Sequence, residues 1–301
     1  MSYAKKVMKG VYVPLITPFN EDESIDFDGY KKVIDYVIEG GVDGVLLAGS
    51  TGEFWQMTLE EQKEVIKKGC EFVDGRVDVV AGTWMHTPKE TIELTNYAAD
   101  CGADFGLVLP PFYHSNTEDG IYDFFKEVAE GSKVGIVVYH TPGNTAVELS
   151  PSFIRRLAQI DGIAAVKETI DFTHTSNTYM ATYDIPNFTV VEANEPKLIA
   201  SYAVGVPAAF SIAFNAIPKE ARKLYDLVWK ENDIAAAREL NKKLYPLYEL
   251  QEEEPYPGPI KAVMNAIGLP AGRVRKPLPQ PSKEMRERAR KVMKDLGYEV
   301  K

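Results

Sequence analysis

Sulfur and imidazole are scarce in this chain. It holds two cysteines, Cys70 and Cys101, and four histidines, His86, His114, His140 and His174. No C-x-x-C or H-E-x-x-H spacing occurs, which argues against a dedicated metal site. Two lone cysteines in a chain this long fit a reducing compartment. Long apolar runs are missing, so no segment reads as membrane-spanning. MSYAKKVMKG at the N-terminus lacks the apolar stretch of a secretion signal. A positive surplus is missing too: 34 Lys and Arg against 44 Asp and Glu leave a net charge of −10. That excludes the basic face of a nucleic-acid binder and a surface built for anionic lipid. An anionic substrate stays open, because a few local donors hold a carboxylate whatever the global charge. The expectation is a cytoplasmic protein acting on small molecules, with no nucleic acid and no membrane as partner.

What is present is an alternation. Strand-like apolar runs occur at VYVPLI (11–16), GVLLAG (44–49), VDVVAG (77–82) and FGLVLP (105–110). They continue at VGIVVY (134–139), IAAVK (163–167), FTVVE (188–192) and PAAFSI (207–212). Amphipathic charged segments lie between them, at the spacing of a βα unit. In TLEEQKEVIKKGCEFV, Leu59, Gln62, Val65, Ile66 and Cys70 fall near one face. Thr58 and Glu61 have the capping-box spacing, and Thr87-Pro88 reads as an N-cap followed by the first helical residue. Eight such units predict a parallel (β/α)8 barrel over residues 1–215. The tail, 216–301, reads as a helical extension packed on the barrel. An open doubly wound sheet is the alternative, but TPFNEDESID follows the first strand where such a sheet carries a glycine-rich phosphate loop.

In a parallel barrel the C-terminal strand ends face the active site. Lys167 then stands at the rim of strand six, Tyr139 at the end of strand five, Ser50 and Thr51 after strand two, and Tyr113 after strand four. A lysine in a half-apolar mouth loses ammonium solvation, and a neutral amine attacks ketones to form an imine. A neighbouring tyrosine can pass the protons. In GSTGE (49–53), glycines let backbone N–H groups approach an anion, and two hydroxyls add donors. The residues alone leave plainer readings open: a solvated lysine at a strand end and an ordinary strand-to-helix turn.

Taken in order, GVYVPLITPF (10–19), GSTGE (49–53), AGT (81–83), LPPFY (109–113), VYHTP (138–142) and VKET (166–169) form a more specific pattern than any one piece. The chain resembles the dihydrodipicolinate synthase and N-acetylneuraminate lyase family of pyruvate-linked class I aldolases. The resemblance implies a (β/α)8 barrel assembled as a homo-oligomer, dimer or tetramer, with no metal and no organic cofactor beyond a covalent imine. It assigns Lys167 the imine and Tyr139 the proton shuttle. Ser50 and Thr51 take the keto-acid carboxylate, and Tyr113 is a tyrosine that in some members reaches a neighbouring subunit's site. Phe210, at the end of strand eight, is placed against the bound keto acid.

Departures from the family pattern bear on the substrate. Asn144 stands where synthases carry an arginine, and it lacks the fork that grips a carboxylate. Trp84, with Phe54, Trp55 and Phe112, offers an aromatic wall or ordinary packing. His140 adds an acid or base near Tyr139, or a plain hydrogen bond. Glu192 and Glu195 read as solvated loop acids, with polyol binding as the alternative. The expected activity is a Schiff-base lyase acting on a short 2-keto acid such as a 2-keto-3-deoxy sugar acid, with pyruvate as product or co-substrate. The alternatives are dihydrodipicolinate synthase itself, a 2-keto-3-deoxy acid dehydratase and a silent keto-acid-binding barrel.

Overall fold

Each of the eight apolar runs forms a strand, and each expected span lies within two residues of the observed one at both ends. The strands are β1 (Gly10–Pro14), β2 (Gly44–Leu47), β3 (Asp78–Gly82), β4 (Phe105–Val108), β5 (Gly135–His140), β6 (Ile163–Glu168), β7 (Thr189–Glu192) and β8 (Ala208–Phe210). The computed structural model describes residues 6–301, and its strand order is that of a closed parallel barrel, β1 through β8 in sequence. Helices follow the strands: α1 (Phe27–Glu39), α2 (Leu59–Val73), α3 (Pro88–Cys101), α4 (Glu118–Gly131), α5 (Pro142–Thr145), α6 (Pro151–Ala158), α7 (Phe172–Thr182) and α8 (Leu198–Val204). The tail adds α9 (Pro218–Trp229), α10 (Ile234–Leu250), α11 (Gly258–Ala266) and α12 (Lys283–Asp295).

The helix starts are those the sequence signals. Thr58 accepts from the Glu61 N–H, and the Glu61 side chain returns the bond to the Thr58 N–H. Thr87 caps α3 with Pro88 as its first residue. These contacts satisfy backbone donors that the helix cannot satisfy itself.

By packing, the chain falls into two compact units. One runs up to Gly10 and resumes over Asp78–Phe210; the other comprises Val11–Val77 and Ser211–Lys301. In the first, a continuous apolar core joins Phe125 and Val128 of α4, Ile136 and Val138 of β5, and Leu157 of α6 to Val166 of β6. Each such side chain contributes about 1.5–3 kcal/mol of burial. The β5–β6 register shifts once, between Ile136 and Val137, and thereafter sets Tyr139 opposite Lys167. A slip of one residue would turn every side chain of β6 to its other face.

In the second unit the tail helices are tied to the first two βα units. Arg222 of α9 pairs with Asp43 at 2.7 Å, and the Tyr36 hydroxyl donates to the Ala216 carbonyl. Asn215 donates to the Pro14 carbonyl and accepts from the Ile16 N–H.

Candidate active site

Three side chains at C-terminal strand ends come together in the first unit. The Lys167 amine lies 4.1 Å from the centre of the Tyr139 ring and 5.1 Å from that of Phe210. All three are buried, Lys167 at 5% exposure. Lysine is rarely buried without a partner, yet among the described residues no carboxylate pairs with this amine. Aromatic faces attract an ammonium far less than a carboxylate does. The site therefore keeps an amine within reach of a phenol without locking it into an ion pair. The reading of Lys167 as a solvated strand end is excluded.

Behind this pair runs a second row. Register places His140 beside Glu168, and Glu168 beside Glu192. Successive strand residues point to opposite faces, so this row lies on the other side of the strands from the Lys167 amine. All three are fully buried. His140 Nδ1 lies 2.7 Å from Glu168 Oε2, and His140 Nε2 accepts from the Leu149 N–H at 3.0 Å. His174 lies next to them, its Nε2 3.0 Å from the Leu149 carbonyl. Burial pushes the Glu168 carboxyl up, and the bonds from His140 and His174 more than reverse it, so its pKa falls below the usual value. Glu192 has no imidazole; burial raises its pKa to about 7, although Ser201 Oγ donates to it at 2.6 Å.

Of the two roles open to His140, the structure shows the plain hydrogen bond: strand alternation turns the ring away from Tyr139, and both its nitrogens are engaged. One expectation changes here. Glu192 and Glu195 are not solvated: Glu192 is fully buried and Glu195 is 9% exposed. The strand β7 runs through Glu192, so the acid sits on the sheet rather than in the loop.

The loop after β2 is built differently. Thr51 is buried and receives the Tyr256 hydroxyl. Gly52 lets the chain pass closely: a Cβ there would stand 3.2 Å from the Leu15 carbonyl oxygen. Glu53 adopts a left-handed backbone, φ 62°, and its buried carboxylate lies 2.5 Å from Lys261 Nζ. Its other oxygen accepts the Arg275 N–H at 2.9 Å. Lys261 also donates to the carbonyls of Thr17 and Arg273. Burial lowers its pKa to about 8 against the pull of Glu53, so it stays charged at neutral pH.

The remaining candidates are dispersed. Tyr113 is 84% exposed, its ring against His114; a ring that open is not packed against the buried Lys167–Tyr139 pair. Asn144 is exposed and accepts from the Thr141 hydroxyl. Trp84 lies tilted against Phe112, ring centres 4.9 Å apart, against the core of the first unit. Glu168, His174, Glu53 and Lys261 escaped the sequence reading. A lone lysine within GPIKAVMNA and an acid directly after Lys167 were the signals available.

The family model described as the dihydrodipicolinate synthetase family matches residues 7–296. The chain belongs to that family. It is 38% identical to the 4-hydroxy-tetrahydrodipicolinate synthase of Methanocaldococcus jannaschii, over 97% of this chain and 99% of the relative. A solved dihydrodipicolinate synthase from Aquifex aeolicus matches with a TM-score of 0.92 at 31% identity, covering 98% of this chain and 100% of that one. YagE of E. coli K12, a family member solved with pyruvate, matches with a TM-score of 0.92 at 28% identity, covering 97% and 100%. Membership makes this chain a Schiff-base lyase of the pyruvate-dependent aldolase type.

Proposed function

We propose that Lys167 is the amine that forms the imine with pyruvate, and that the enamine so made adds to the aldehyde of aspartate 4-semialdehyde, as in a 4-hydroxy-tetrahydrodipicolinate synthase. The observation that carries the imine is the buried Lys167 amine, 4.1 Å from the Tyr139 ring and with no carboxylate partner among the described residues. Attack on the ketone carbon forms a carbinolamine, and loss of water leaves a cationic imine. That nitrogen draws electrons from the adjacent C–H bond, so a base can remove the proton. Tyr139 is the assigned proton carrier, and Phe210 walls the pyruvate methyl. By the family motif, Ser50 and Thr51 take the carboxylate. The synthase partner is supported by relatives of that name covering nearly the whole chain. No metal or organic cofactor enters this scheme. The assembly it implies is a dimer or tetramer, in which the exposed Tyr113 serves a neighbouring site.

Asn144 favours a second reading. It offers no guanidinium fork to the carboxylate of a semialdehyde, and its amide is engaged with Thr141. That suits cleavage of a 2-keto-3-deoxy sugar acid, whose polyol end needs no such fork, or its dehydration. Borohydride reduction in the presence of pyruvate should place one adduct on Lys167, absent in Lys167→Ala. Product analysis then separates the readings. A cyclic condensation product from aspartate 4-semialdehyde supports the first, pyruvate plus an aldehyde from 2-keto-3-deoxygluconate the second, and a dehydrated keto acid a dehydratase. No adduct on Lys167 with any keto acid defeats them all and leaves a silent binding barrel.

A further inference from the structure

The row behind the reacting pair links the two strands that carry it. Tyr139 and Lys167 are lateral neighbours, and so are the residues that follow them, His140 and Glu168. The His140–Glu168 bond of 2.7 Å therefore joins the ends of β5 and β6 one residue beyond the amine and the phenol. The same strand ends share a backbone bond from the Thr169 N–H to the His140 carbonyl.

The hydrogen bonds also fix where protons reside. His140 Nε2 accepts the Leu149 N–H, so His140 carries its proton on Nδ1, directed at Glu168. The Leu149 carbonyl can only accept, so His174 Nε2 carries a proton. The nitrogen of this cluster left to titrate is His174 Nδ1, 3.5 Å from Glu168 Oε1. Thr178 Oγ1 lies between them, 3.2 Å from the carboxylate and 3.4 Å from the ring. Without a proton on Nδ1, two lone pairs face each other across that gap with one hydroxyl hydrogen between them. With the proton, Glu168 is held from both sides. His140, Glu168 and His174 have the composition of a cation site. The proton on His140 Nδ1 occupies the lone pair a cation would need there, so the bonding describes a clamp instead.

We propose that Glu168 is a positioning residue for the imine-forming step. Clamped between His140 and His174, it holds Lys167 in register with Tyr139, and loss of the His174 proton opens the clamp. The proposal rests on the imine reading of Lys167 given above. A shift of about 1 Å at a reacting atom can cost about a hundredfold in rate, so a side-chain tie one residue away is well placed to matter. The bond to Glu168 raises the His174 pKa above its ordinary 6.5 against burial, which puts the opening on the alkaline side of that value.

Other charged groups near His174 are few. Asp171 caps its own helix and favours the proton. From β7 comes Glu192, next to Glu168, with the Lys197 charge acting on it. From α6, Arg155 reaches the far end of α7, at the Ala181 carbonyl.

The test follows the rate of borohydride-trapped pyruvate on Lys167 across pH, a readout that needs no aldehyde partner. His174→Gln keeps a donor and cannot titrate. Its rate relative to wild type should rise about tenfold between about pH 6 and about pH 9. Glu168→Gln should form the adduct about tenfold more slowly than wild type at about pH 6, a deficit that narrows toward about pH 9, with the saturating pyruvate concentration unchanged. Glu192→Gln should leave the His174-dependent inflection in place. A His174→Gln profile parallel to wild type overturns the proposal, and so does a Glu168→Gln rate equal to wild type at about pH 6. Should Glu168→Gln not fold, the His174→Gln ratio decides alone, because a merely structural role lowers the melting temperature without moving the inflection. An adduct missing in wild type itself points to failure of the imine reading, which removes this proposal with it.

Discussion

Two buried carboxylates, Glu53 and Glu168, stand within two residues of assigned site residues, and the chain satisfies them by different chemistry. Glu53 follows the Ser50–Thr51 loop and is met by Lys261 at 2.5 Å and by the Arg275 N–H. Arg275 in turn grips Glu61 with two nitrogens, at 2.5 and 2.9 Å. Glu168 follows Lys167 and is met by imidazoles. An ammonium with a pKa of about 8 keeps its charge through neutrality, whereas an imidazole can lose it there. The loop that the family motif assigns to the carboxylate is thus held by an ammonium, and the strand that carries the amine by imidazoles. Burial alone does not make a carboxylate pH-sensitive; the identity of its partner does.

The strongest way to break this contrast is Lys261→Met. It leaves Glu53 buried without a counter-charge, and the expected loss is about 3–5 kcal/mol in urea unfolding. A loss below about 1 kcal/mol would mean that water reaches Glu53.

Glu192 sharpens the contrast, since among the described residues neither an ammonium nor an imidazole bonds it. Its folded pKa of about 7 exceeds the ordinary 4.5, so the folded state holds the extra proton between those values. Stability from this group is then complete below about pH 4.5 and lost as pH rises through about 7, up to about 3 kcal/mol. Glu192→Gln should flatten that part of the pH–stability curve; an unchanged slope would locate the titration elsewhere. Glu168 has the opposite sign: its depressed pKa gives stability that is present above 4.5 and lost as pH falls through the folded value.

Arg275→Lys is a smaller perturbation. It keeps the charge and loses the fork on Glu61, for an expected cost of about 2 kcal/mol by thermal unfolding, with no change in pH dependence near neutrality. Thr178→Val removes the hydroxyl shared by Glu168 and His174. It should cost about 1 kcal/mol, and its deficit should be larger above the His174 pKa than below it. An equal deficit on both sides would separate Thr178 from the proton-dependent contact.

Much of the fold is legible along the chain. Strand spans from VYVPLI to PAAFSI, the capping box at Thr58 and the Thr87-Pro88 start all depend on neighbours within a few residues, and each appears where the pattern placed it. Lys167 was legible as an oddity, a single lysine ending an apolar run, and its aromatic surroundings confirm that it is buried. Glu192 misled because exposure is the usual state of glutamate, and the strand end that buries it differs by a single position from a loop.

Sequence alone determined the order and type of the elements, because helical and strand periodicities are local properties of side-chain size and polarity. It also determined the family, through short motifs kept in order. Tertiary structure alone decided which charges meet. Glu53 and Lys261 are 208 positions apart, Glu168 and His140 are 28 apart, and the register of β5 on β6 chooses the second pair. The physical reason is that a buried charge is tolerated only where a partner arrives in three dimensions, and no local pattern encodes that arrival.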